Sequence, residues 1–132
     1  MPHHQVVHTD DVEETDLSEL DVPPDLNIKA IDEALGTEQA AVKIWYFEPG
    51  EEIGYHAHAE QEEVYYVLEG EFSLKLGPAG DEEFVEVGPG AFWVASPETG
   101  HGHRYVGDDR GAILAIGAPF VDDPGLDPYS MD

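Results

Sequence analysis

An all-β fold is predicted for this chain of 132 residues by three observations. Its apolar residues fall in short runs rich in Val, Ile, Tyr, Phe and Trp. Its 14 glycines and 10 prolines gather between those runs. No 3.6-residue periodicity persists long enough for a major helix, so little helix is expected. Short strands with regular turn punctuation make a sandwich or a barrel.

The elements follow in order. Residues 1–24 are acidic and end in Pro23-Pro24, which predicts an arm or a short strand outside the core. The barrel is expected over residues 25–120. Leu26–Ile31 alternates as a strand does, and Asp32–Gly36 suits one helical turn closed by glycine. The strands expected next are Ala41–Glu48, Gly54–His58, Glu63–Leu68, Glu71–Leu76, Glu83–Val87, Ala91–Ala95, His103–Val106 and Ala112–Ala118. Between them lie turn signals at Pro49-Gly50, Gly70, Gly77–Asp81, Gly88–Gly90, Pro97–Gly100 and Gly107–Gly111. Residues 121–132 are Pro- and Asp-rich and are expected as an extended tail. It either frays or lies over the barrel mouth or a neighbouring subunit.

Composition bounds the function. The length fits one core and no second one. Thirty acidic residues face Lys29, Lys43, Lys75, Arg104 and Arg110, a net charge of −25. Phosphate backbones are repelled by such a surface, so nucleic-acid binding is excluded. Disorder does not follow from the charge, because 41% of the residues are hydrophobic. Scarce lysine and abundant Asp and Glu resemble the proteins of extreme halophiles. At molar salt the Debye length shrinks to about 3 Å and surface repulsion is screened. The chain has no cysteine, which removes disulfides and thiolate metal sites. No run of about 18 apolar residues exists, so no membrane span is expected. The first residues lack a cationic start and an apolar stretch, so a cytoplasmic protein is the expectation.

The chemistry concentrates at His56-Ala57-His58, with Glu63 downstream and His103 beyond a turn-rich stretch. Residues i and i+2 of a strand share a face, so the two imidazoles of the pair can converge. Glu63 opens the next apolar run and can bring a carboxylate to the same place. Three imidazoles and one carboxylate suit one divalent transition metal: iron, manganese, nickel, copper or zinc. An isolated His-x-His pair is often only an exposed strand edge. Here it sits in an unbroken Gly50-x5-His56-x-His58-x4-Glu63-x6-Gly70, which encodes strand, turn and strand with ligands at set places.

That string resembles the first motif of the cupin superfamily, G-x5-H-x-H-x3,4-E-x6-G. The second cupin motif, G-x5-P-x-G-x2-H-x3-N, is met with departures by the stretch Gly90 to Gly107. One residue is added before Pro97 and another before Gly100, and Gly107 stands where the family often has Asn. The resemblance spans Val42 to Phe120. It implies a small single-domain cupin: a double-stranded β-helix, or jelly-roll barrel, with a metal held by His56, His58, Glu63 and His103. Cupins commonly form homodimers, and a homodimer is implied here too. His101 shares a face with His103 on a strand and can replace it as ligand, support a ligand or carry a proton. The plainer expectation is a solvent-facing loop residue, so His101→Ala is expected to leave most metal binding intact.

Strand parity nominates the pocket groups. With Glu63 inward, Tyr65 and Val67 are inward; with His103 inward, so is Tyr105. Tyr65, Tyr105 and His101 are therefore candidate catalytic groups, able to donate a proton or orient a ligand. Both tyrosines equally suit barrel core. Both faces of Glu63–Leu68 are apolar or aromatic, which hints at a covering second subunit. The function expected is a metal-dependent enzyme acting on a small organic molecule, of dioxygenase, isomerase or epimerase type. The alternative is a metal-dependent small-molecule binding module without turnover. Nucleophile elbows and phosphate-cradling glycine loops are absent from the sequence.

Overall fold

The architecture is that of a computed structural model, which describes residues 3–20, 26–121 and 125–130. Among them ten strands run in order. They are β1 (Glu14–Asp16), β2 (Asn27–Ala30), β3 (Ala41–Phe47), β4 (Glu52–His56) and β5 (Glu62–Glu69), then β6 (Phe72–Leu76), β7 (Glu83–Val87), β8 (Phe92–Ala95), β9 (His101–Tyr105) and β10 (Gly111–Ala118). One short helix, α1 (Ile31–Leu35), ends at Gly36 in the left-handed conformation. Two antiparallel sheets result, ordered β1-β2-β3-β10-β5-β8 and β4-β9-β6-β7. They face each other as the double-stranded β-helix expected from the sequence. No helix among the described residues is long and apolar enough to cross a membrane.

Side-chain alternation places the core between the sheets. Phe47, Val67, Phe72, Leu74, Tyr105 and Ile113 are all buried there. Phe47 meets Phe72 edge-on at 5.1 Å between centroids. Full burial of each such side chain is worth about 1.5–3 kcal/mol. The parity expected for β5 holds: Tyr65 and Val67 are buried, while Leu68 on the alternate face is exposed. Gly70 turns the β5–β6 hairpin at φ +88°, and a Cβ there would lie 2.5 Å from a Tyr105 ring carbon. Only glycine allows both that turn and that approach.

The strand limits differ from expectation where the site lies. The strand expected over Gly54–His58 is β4 and ends at His56. The one expected to start at His103 is β9 and starts at His101. In their pairing, Ile53 faces His103 and His56 faces His101, with a register break between. A bulge of this kind re-aims side chains at a strand end.

Both ends of the chain are more structured than the sequence suggests. β1 pairs with β2 at the edge of the large sheet, and Leu17 just after it is buried. Pro23-Pro24 lie outside the described residues. In the tail, Ala57 and Leu126 exchange backbone hydrogen bonds of 3.0 and 2.7 Å. Tyr129 accepts a hydrogen bond from Lys75 at 2.7 Å and packs beside Tyr55. The described part of the tail is docked on the barrel rather than frayed, because it completes backbone pairing that the end of β4 leaves open.

Candidate metal centre

The end of β4, the start of β5 and the start of β9 bring four side chains together. Each of His56, His58, Glu63 and His101 offers a ligand atom, and these atoms all lie within 4.8 Å of one another. A Glu63 oxygen is 3.0 Å from His58 Nε2, 3.0 Å from His101 Nε2 and 3.9 Å from His56 Nε2. His56 and His101 rings pack at 4.2 Å between centroids.

The backbone orients two of the rings. His56 Nδ1 lies 2.7 Å from the Gly54 carbonyl and His101 Nδ1 lies 2.9 Å from the Thr99 carbonyl. Donation of Nδ1–H to those carbonyls leaves each Nε2 lone pair aimed inward, the second contact that metal-ligating histidines make. An inward lone pair facing a carboxylate oxygen at 3.0 Å is repulsive unless a proton or a cation lies between. Donors at right angles around one ion, each about 2.1 Å from it, sit about 3.0 Å apart. The donor set therefore fits a divalent transition metal held by His56, His58, Glu63 and His101.

The electrostatics agree. Burial lowers the His56 pKa to about 4, and neighbouring His101 adds to the effect. Burial pulls the Glu63 carboxyl up, but in the metal-free site the His101 and His58 rings, when protonated, hydrogen-bond the carboxylate, outweigh burial and hold the group well below the usual carboxylate range. A neutral imidazole and an ionised carboxylate are the forms that bind metal.

Of the sequence-predicted groups, His56, His58 and Glu63 meet, while His103 does not join them. It lies two residues further along β9, about 6.6 Å deeper, opposite Ile53 instead of His56. His101 takes the expected place of His103. It is 1% exposed, not the solvent-facing loop residue expected. His103 is 3% exposed, among the rings of Phe47, Tyr65, Phe72 and Trp93. Burial lowers its pKa to about 3, with His101 and His56 adding to the effect. Tyr65 lines the pocket and donates its hydroxyl to Glu63; burial first, then Glu63, raises its pKa well above the ordinary phenol value. Tyr105 is buried against Phe72 beneath the Gly70 turn and does not line the pocket.

A cavity of about 640 Å³ opens beside the four side chains. Trp45, Ile53, Ala115, Phe120 and Val121 make its wall largely apolar, and His103 lies on its lining too. Lys43 reaches the lining but is tied to the buried carboxylate of Asp32 at 2.7 Å. Tail residue Gly125 comes against His56, where a Cβ would meet the ring at 3.6 Å. Of the outcomes expected for the tail, a place over the barrel mouth is the one that Gly125 and Val121 take on this lining.

A comparison with curated protein sequences found no match. Solved structures do match. A candidate sugar phosphate isomerase from Acidithiobacillus ferrooxidans is 26% identical, with a TM-score of 0.66 over 74% of this chain. The chain spans 62% of that protein, less than two thirds of its length. The polyketide cyclase RemF from Streptomyces resistomycificus is 24% identical, with a TM-score of 0.73 over 98% of this chain and 88% of its own. A conserved protein with a double-stranded β-helix domain from Klebsiella pneumoniae is 19% identical, with a TM-score of 0.70 over 95% of this chain and 99% of its own. The last two likenesses concern the fold. The family model for the cupin domain matches residues 43–117, more than half of the sequence, and the chain belongs to the cupin family.

Proposed function

We propose that this cupin is a divalent-metal-dependent enzyme acting on a small, largely apolar organic molecule inside the barrel, by isomerase, epimerase or dioxygenase chemistry. The observation that carries the reading is the convergence of His56, His58, Glu63 and His101 beside a cavity of ligand size. Such an ion supplies Lewis acidity toward a carbonyl or enediol oxygen, or the electrons for oxygen chemistry, according to the metal. The chain's own groups do the rest. Gly54 and Thr99 carbonyls fix the rings of His56 and His101. Tyr65 keeps its proton and hands a hydrogen bond to Glu63, which holds the carboxylate in place. Trp45, Ile53, Phe120 and Val121 exclude water from the bound molecule.

A sugar phosphate is a poor fit. Lys43 is the one cation among the described lining residues, and Asp32 already neutralises it. The net charge of −25 opposes a phosphorylated substrate further. One observation favours the alternative, a metal-dependent binding module without turnover: the Tyr65 hydroxyl is committed to Glu63 and is not free to shuttle protons.

The test is metal content by mass spectrometry, on protein purified in high salt without chelators or an affinity tag. Wild type is expected to carry about one equivalent per chain. His56→Ala and His101→Ala should each lose it, whereas His103→Gln should keep it. Metal retained by His101→Ala and lost by His103→Gln would return the fourth ligand to His103. Loss of wild-type metal as pH falls below about 6 is expected from protonation of the imidazoles.

A further inference from the structure

We propose that His103 anchors the molecule bound in the barrel, by taking a hydroxyl group of a compact, mainly apolar ligand on its imidazole edge. This rests on the reading of the cavity as a ligand site, and it adds a recognition group outside the four metal-binding side chains.

The support is a concentration of unmet hydrogen bonding. Among the described residues, the buried side-chain polar atoms without a partner are His103 Nδ1, His103 Nε2 and Trp93 Nε1. All three belong to one pair of rings, 5.5 Å apart between centroids. The histidines nearby are different: His56 and His101 each reach a backbone carbonyl and Glu63. Among the described residues no hydrogen-bond partner serves His103 in the same way. Its ring neighbours are Phe47 at 5.6 Å, Tyr65 at 5.1 Å, Phe72 at 6.3 Å and Trp93, and the Tyr65 hydroxyl is turned to Glu63. Each buried donor or acceptor left unmet destabilises the fold. A phenylalanine or leucine would carry no such cost in this aromatic box. A histidine there has a use, and its ring lies on the cavity lining, so a molecule that fills the cavity lies against it.

The ligand chemistry follows from the lining. An imidazole offers one N–H and one lone pair, which a single hydroxyl can match in either sense. Trp45, Ile53, Ala115, Phe120 and Val121 make the rest of the lining largely apolar, with Lys43, Tyr55 and Gln61 among its polar members. The molecule that fits carries a hydroxyl on an apolar, ring-sized body, its far side turned to the four-ligand group.

Equilibrium dialysis of zinc-loaded protein in molar potassium chloride, with 1-naphthol and naphthalene as paired probes, tests this. In a wholly apolar pocket naphthalene binds more tightly, because the hydroxyl must shed water. With the anchor, wild type binds 1-naphthol at least as tightly as naphthalene. His103→Phe should shift the ratio toward naphthalene by roughly 5- to 100-fold, and His103→Gln, which keeps a donor and an acceptor, should restore part of it. Zinc stoichiometry is measured on every sample. A ratio unchanged in both variants overturns the anchor, as does wild type that favours naphthalene or binds neither probe. If zinc fails to bind while the apoprotein keeps a His103-dependent preference, the metal reading falls and the anchor stands.

Discussion

Acid should unfold the metal-free protein through His103, and the size of that effect can be worked from the site. An unfolded histidine titrates near 6.5, whereas the folded imidazole is held to about 3 by burial and by His101 and His56. The folded group is therefore neutral where the unfolded one is charged. Nothing is lost above about pH 6.5, and stability falls as pH drops from there toward 3, because the unfolded state takes up the proton first. Between pH 7 and pH 4 one such group costs about 3 kcal/mol, a large part of the roughly 5–15 kcal/mol that holds a domain together. His56, lowered to about 4, adds a similar slope over the upper part of that window. Glu63 has the opposite charge type but the same sense. Its pKa is depressed in the fold, so its contribution is present above about pH 4.5 and lost below it. Removing His103 alone isolates one slope. Urea unfolding of the chelator-treated wild type and His103→Gln, at pH 7, 5 and 4 in molar salt, measures it. Surface carboxylates titrate alike in both proteins, so their effect cancels in the difference. The variant should lose about 2–3 kcal/mol less than wild type between pH 7 and 4. Equal losses in the two proteins would refute the reasoning.

Two further predictions concern the surface. The net charge of −25 should make the fold salt-dependent, so urea midpoints are expected to rise from low to multimolar potassium chloride; equal midpoints would remove the halophilic reading. On the outer face of the large sheet, Val64 pairs with Val94 and Tyr66 with Phe92, and Phe92 and Val94 are 70% and 54% exposed. We expect this apolar strip to be covered in a homodimer that Phe92→Glu converts to monomer in sedimentation, and a monomeric wild type would end that expectation.

Much of the barrel was legible because its signals are local. Alternation set the faces of β5, so Glu63, Tyr65 and Val67 could be placed inward from sequence alone. Proline and glycine marked the turns, and Gly70 carries a positive φ where the hairpin was expected. His56, His58 and Glu63 lie within eight residues and could be read as a group. What failed depended on distant pairing. Nothing local to Glu14–Asp16 says that it will pair with Asn27–Lys29. Nothing in the acidic tail says that Leu126 will exchange hydrogen bonds with Ala57. Tyr105 had the right parity and the wrong depth, since parity chooses a face of the strand and not a level along the barrel axis.

The exchange of His101 for His103 is the same problem in its sharpest form. The two share one face of β9, so alternation cannot separate them, and only the register against β4 decides which stands level with His56. A signal for it was present in the spacing. In the second cupin motif the first glycine and the histidine are eleven residues apart, and Gly90 to His101 is that distance. Matching through Gly100 instead keeps the Gly-x2-His step but lengthens the whole by two residues, which leads to His103. The total length is the better guide, because it fixes how much chain crosses from β8 to β9, while a shift of Pro97 or Gly100 within the turn is absorbed locally. The displaced histidine is not redundant on this account. It stays on the inward face, one pleat repeat deeper, where its ring lies on the cavity lining and its nitrogens have no hydrogen-bond partner among the described residues. On the two proposals made above, one strand presents two imidazoles with separate tasks, His101 toward the metal group and His103 toward whatever fills the barrel.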